Sequence, residues 1–179
     1  IQLIFVRRIV FIEGLGLAFF ILIYFLFHRY LKLFKEVAGA VLYSGGVLLI
    51  PWSVKTDAIT NAQLILIAQF ALTALINLFL FSWYDRQQDE KDNHSSFATV
   101  MGENAARYSL KILFLVQAAF ALVQLILDGT SSLLPNIILV TMNGILLLIF
   151  YKREYFEKAD RYRLVGDAVF FLPLIYVLS

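Results

Sequence analysis

"AQLILIAQFALTALINLFLFSWYDRQQDEKD", Ala62 to Asp92, decides how this chain is read. Ala62 to Tyr84 carries no charged side chain, and then Asp85, Asp89, Glu90, Lys91 and Asp92 follow within eight residues. A helix needs roughly 20 residues, with a range of about 17 to 25, to cross the hydrocarbon of a bilayer. The apolar part of this stretch meets that length. A transmembrane barrel strand would instead alternate every second residue over about ten positions. The run is continuous, so it predicts a membrane helix whose polar end leaves the lipid at Asp85.

Five further windows approach the same length: Ile9 to Phe27, Val37 to Val54, Leu110 to Leu127, Leu133 to Tyr151 and Leu164 to Leu178. Hydrophobic residues make up 61% of the chain and charged ones 16%, which leaves too little polar surface to cover a domain in water. An all-α, polytopic membrane helix bundle of about six transmembrane helices is predicted, forming one transmembrane domain over residues 1–179, with residues 85–109 as its polar loop. There is no Cys, which removes disulfides, thiolate metal sites and cysteine nucleophiles. A net charge of +2 is too small to suggest nucleic acid. Membrane lipid is the expected surrounding. Ile1 to Val6 is apolar with no Met before it and Arg7 and Arg8 only after it, unlike a signal peptide, so a fragment is expected.

The basic residues orient the bundle. With six crossings, one face receives Arg7, Arg8 and Lys55. The other receives Arg29, Lys32 and Lys35, then Arg86, Lys91, Arg107 and Lys111, then Lys152, Arg153, Lys158, Arg161 and Arg163, twelve against three. By the positive-inside rule the richer face is cytoplasmic, and an inner-membrane location with the polar loop inside is expected. The charged segment Arg153 to Arg163 is read as lying along the headgroups.

At about 100° per residue, Asp85, Asp89 and Asp92 fall within about 60° of one another on a helix. Such carboxylates repel, and a bound cation turns that cost into an advantage. Hard oxygen ligands suit Mg²⁺ or Ca²⁺, and Mg²⁺ takes one or two carboxylates together with waters and substrate phosphates. A merely solvated cytoplasmic loop is the alternative. An ion or proton pathway would require ionisable groups deep in the spans, where only Glu13, Asp167 and several amides occur. The amides of Gln117, Gln124 and Asn143, and the Thr141 hydroxyl, are expected to hydrogen-bond between helices. Asn77 lies two turns before Asp85 on the same side. Gly166 and Asp167 are read as capping the last helix. His28 and His94 lie at loop edges.

The order of a long hydrophobic helix, D-x-x-x-D, x-K, a Ser or Thr, an apolar run and Gly resembles the second aspartate motif of the UbiA-type membrane prenyltransferases. Asp85, Asp89, Lys91, Ser96 and Gly102 fall in register with it; Asn93 stands where the family has Gly, and Ser95 where it has Lys or Arg. Upstream, "KLFK", Lys32 to Lys35, with Leu42 ten residues after its first Lys, is similar to the family's basic connection. The resemblance implies a nine-helix fold around a lipid-open cavity, with the first three helices and the first aspartate motif absent from this chain, and Mg²⁺-dependent transfer of an isoprenyl group from an isoprenyl diphosphate to an aromatic or lipid acceptor. It implies Asp85 and Asp89 as catalytic metal ligands, extended by the spacing to Asp92, with Lys32, Lys35 and Lys91 neutralising diphosphate oxygens. A non-catalytic scaffold and a transporter are the alternatives.

Overall fold

The computed structural model describes residues 8–54, 58–128 and 132–174, and every regular element among them is helical. The main helices are α1 (Arg8–Leu31), α2 (Lys35–Val54), α3 (Asn61–Lys91), α5 (Glu103–Asp128) and α6 (Leu133–Tyr151). Short helices fill the polar end: α4 (Phe97–Met101), α7 (Arg153–Phe156) and α8 (Arg161–Ala168).

α3 is the axis. No Gly or Pro interrupts it, and a capping box starts it: Thr60 Oγ1 accepts from the Gln63 N–H at 3.3 Å, while Gln63 Oε1 accepts from the Thr60 N–H at 3.1 Å. Its 31 residues rise about 46 Å at 1.5 Å each, against a hydrocarbon core about 30 Å thick. α3 is thus longer than that core, and its last turns, from Asp85 on, are polar and still helical. Arg86 and Glu90, paired at 2.9 Å one turn apart, and Gln88, donating to Asp92 at 2.8 Å, line those turns. Residues 85–109, expected as a loop, are thus mostly helical: only 92–96 and Gly102 separate α3, α4 and α5.

α3 packs against α2, α5 and α6, and the core runs along it through Ile76, Leu80 and Trp83 to Leu110, Met142, Leu146 and Ile149. In lipid, dispersion contacts rather than expulsion of water hold such a seam together. α1 packs on α2 and leaves Phe11, Phe19, Phe20 and Phe25 exposed, the surface expected of a helix whose solvent is apolar.

Four helices are long and apolar enough to cross a membrane: residues 10–28 of α1, and α3, α5 and α6. The window Val37 to Val54 is also helical, within α2. The sixth window differs from expectation. α8 ends at Ala168 and tightens into a 3₁₀ turn over Val169–Phe171, and the chain passes through Pro173 to Leu174, which is again helical. Residues 175–179 of that window, like Arg7 and Lys55 in the charge tally, lie outside the described residues.

Candidate functional site

The polar end of α3 gathers partners from α5, α6, α7 and α8. Asp85 Oδ1 accepts from the Tyr162 hydroxyl and pairs with Arg163 Nη2 at 2.8 Å, both from the first turn of α8. Arg163 Nε also donates to the Tyr162 oxygen at 3.1 Å. Tyr162 is stacked on Tyr84, with ring centroids 4.3 Å apart, and the Tyr84 hydroxyl donates to the Ile149 carbonyl at 2.7 Å. Burial first, and then donation to Asp85, push the Tyr162 hydroxyl up to about 12. Hydrogen bonds to Asp85 and Tyr162 hold the Arg163 proton more firmly than usual. Beside this triad Glu103 collects Arg153 at 2.8 Å and Arg86 at 3.4 Å, and the Arg153 guanidinium lies 4.3 Å over the Trp83 ring.

Asp89, one turn beyond Asp85, is half-buried and close enough to Glu36 for its charge to raise that residue's pKa. Glu36 is buried. Its Oε1 accepts from the Phe97 N–H at 2.8 Å, while Oε2 has no partner. Desolvation is the main cause of its raised pKa; the Phe97 N–H and the Lys35 ammonium oppose it. Lys35 also borders a polar cleft of about 380 Å³ with His28, Asp92, Asn93, His94 and Ser95. Lys32 and Lys91 are exposed.

The structure therefore distributes the residues singled out above rather than gathering them at one point. Asp85 and Asp89 lie on successive turns, and Lys35 approaches from α2. Asp92 closes α3 and borders the cleft. Among the described residues no three His, Asp or Glu side chains converge closely enough to hold one ion. A shared helix face does not gather three ligands, because the axial rise from position 85 to position 92 is about 10 Å. The donors that remain, the second oxygen of Asp85 and the Asp89 carboxylate, are hard oxygens in the number that Mg²⁺ draws from protein, so the donor set fits that ion in chemistry. The Asp85 oxygen taken by Arg163 already has a cation.

One to two turns back along α3, a cavity of about 450 Å³ lies between α1, α2, α3 and α8, walled by Tyr24, Tyr43, Phe81 and Phe170 and edged by Asn77 and Asp167. Asn77 is buried with Oδ1 unpartnered. Glu13, far along α1, borders a larger apolar groove of about 540 Å³ with Ser44. Asn143 bonds between helices as expected, donating to Thr73 Oγ1 at 2.8 Å, whereas Thr141 bonds within its own helix to the Ile137 carbonyl. The buried amides of Gln117 and Gln124 have no partner.

Tyr162, Arg163 and Glu36 were not legible as site residues. The first two lie 77 and 78 positions from Asp85, in a segment whose composition reads as a headgroup anchor, and only Glu36, next to "KLFK", had a local cue. Compared with protein-family models, curated proteins and solved structures, the chain matches none of them.

Proposed function

We propose that the chain belongs to a membrane prenyltransferase of the UbiA type, transferring an isoprenyl group from an isoprenyl diphosphate to a hydrophobic acceptor. One juxtaposition supports the reading: the carboxylates of Asp85 and Asp89, with Lys35 nearby, stand at the polar end of α3 one to two turns from an aromatic cavity open to apolar ligands. A substrate with a charged head and an isoprenoid tail has that same division.

In this reading Asp85 and Asp89 would hold Mg²⁺, while Lys35, with Lys32 and Lys91 at the same end, would neutralise diphosphate oxygens. When bound, Mg²⁺ would supply electrostatic stabilisation of the departing diphosphate. Tyr43, Phe81 and Phe170, which line the cavity, would surround the isoprenoid tail and could meet developing positive charge with aromatic rings.

The contact of Arg163 and Tyr162 with Asp85 favours a second reading, a non-catalytic scaffold in which the acidic end serves only to hold the bundle together. Prenyl transfer by the intact protein from an isoprenyl diphosphate, with and without Mg²⁺, separates the two. Asp85→Ala and Asp89→Ala are each expected to lower turnover by at least about 100-fold, the scale of losing an electrostatic group that acts in the transition state. Full turnover in both variants would remove these residues from the chemistry. No transfer by the parent under any condition would favour the scaffold.

A further inference from the structure

The cavity between α1, α2, α3 and α8 has aromatic walls and a polar edge. Its volume of about 450 Å³ falls within the range of small-molecule sites, about 300–1,000 Å³. Ring contacts fix the walls: Phe170 meets Tyr43 edge-on with centroids 5.1 Å apart and Phe70 at 5.9 Å, while Phe81 meets Tyr162 at 5.8 Å. The polar edge follows from how closely α8 approaches α3. Because Gly166 carries no Cβ, its backbone lies directly against Asn77 Oδ1 and the Phe81 ring, and the next residue, Asp167, is brought to the cavity that Asn77 also borders. Asn77 is 4% exposed and its Oδ1 has no hydrogen-bond partner. Asp167 forms no ion pair among the described residues, and its charge reaches the Tyr43 hydroxyl. A buried amide and a carboxylate set against aromatic walls are both costly without partners, and one ligand group can serve the two.

We propose that this cavity binds a phenol, its hydroxyl held by the Asp167 carboxylate and the Asn77 amide and its ring lying among Tyr43, Phe81 and Phe170. An O–H group donating to a carboxylate makes one of the stronger hydrogen bonds, and aromatic rings pack well in offset or edge-on contact. An aliphatic alcohol has the donor without the ring, and an aryl ether has the ring without the donor. An ammonium would also pair with Asp167, but it must shed its hydration to enter apolar walls. In the prenyl-transfer reading, on which this role rests, the phenol is the acceptor and Asp167 and Asn77 select it. The binding itself requires neither Mg²⁺ nor a diphosphate.

The probe is 4-hexylphenol with a photoreactive diazirine in its chain, compared with its methyl ether. Both are cross-linked to the intact protein in detergent without Mg²⁺, and the adducts are mapped by peptide mass spectrometry. The phenol is expected to label Tyr43, Phe81 and Phe170 at least about fivefold more than the ether does, and unlabelled 4-hexylphenol is expected to displace it. Asp167→Ala, at an exposed position, is expected to bring the phenol down to the level of the ether, and Asn77→Ala to lower it by less. Equal labelling by phenol and ether in the parent, a preference that survives both substitutions, or adducts confined to residues outside the cavity overturns the site. Stronger displacement by 1-decanol or 4-hexylbenzylamine than by 4-hexylphenol overturns the phenol as the ligand. Should Asn77→Ala lose its helical circular dichroism, Asp167→Ala carries the comparison alone, and an unchanged preference in it overturns the site. A parent that binds the phenol as expected yet transfers no isoprenyl group overturns the prenyl-transfer reading and leaves this site standing.

Discussion

At Gly166 the backbone of α8 lies so close to α3 that a Cβ would stand 2.5 Å from Asn77 Oδ1 and 2.8 Å from Phe81 Cε1. The residue expected to cap a helix is instead the contact that lets α8 approach α3, inside α8 rather than at its start. Gly166→Ala is therefore expected to destabilise the protein by about 1–3 kcal/mol, read as a lower midpoint of thermal unfolding in detergent. Two neighbouring positions explain part of the motif-like pattern in backbone terms. Gly102, between α4 and α5, has φ +85°, which a side chain resists. Asn93 has φ +52°, a left-handed turn that Asn, like Gly, tolerates. Tyr162 gives a pH prediction. Its folded pKa of about 12 exceeds the ordinary value of 10.0, so its contribution is complete below pH 10 and is lost as pH rises through about 12. Absorbance of tyrosinate is expected to include a late-titrating component that Tyr162→Phe reduces.

α4 has only five residues and could not stand alone, yet it is fixed on three sides. Ser96 and Thr99 close a capping box at its start, the Ala98 N–H donates to Ser82 Oγ at 2.9 Å, and the Phe97 ring stacks on Phe79 with centroids 4.1 Å apart. The fourth tie, the Phe97 N–H to Glu36, is different because it uses a buried carboxylate with an unpartnered oxygen. With its folded pKa raised, Glu36 favours folding most when protonated, and that stability is lost as pH rises through its raised pKa. Glu36→Gln keeps an acceptor for Phe97 without the charge. The variant is expected to equal or exceed the parent in stability at pH 7, by up to about 1 kcal/mol, with the advantage shrinking in acid. Glu36→Ala, which leaves the Phe97 N–H without an acceptor, is expected to lose about 1–3 kcal/mol. Parallel thermal melts at pH 4.5 and pH 7 check both.

At the scale of the whole molecule, the twelve-to-three division of basic residues predicts the side on which the polar end lies. A cysteine placed at exposed Ser95 is expected to react with an impermeant maleimide only after the inner face of the membrane is opened, and labelling of sealed cells would reverse the orientation. The run from Ala62 to Tyr84 determined, by itself, that α3 is a membrane-length helix, because transfer into lipid is a sum over residues that needs no knowledge of neighbours. The same local arithmetic made the acidic end of α3 legible, and with it Asp85 and Asp89 as candidates. It went astray over 85–109, where polarity read as loop although ion pairs and caps keep the backbone helical, and it did not show the 3₁₀ turn over Val169–Phe171 that interrupts the helix in the last window. Only the tertiary structure decided that Arg163 and Tyr162 face Asp85, that Glu36 is buried beneath α4, and that an aromatic cavity lies behind them. Those facts depend on how far each helix is rotated and tilted against the next, which close packing of particular side chains sets and hydropathy along the chain does not encode.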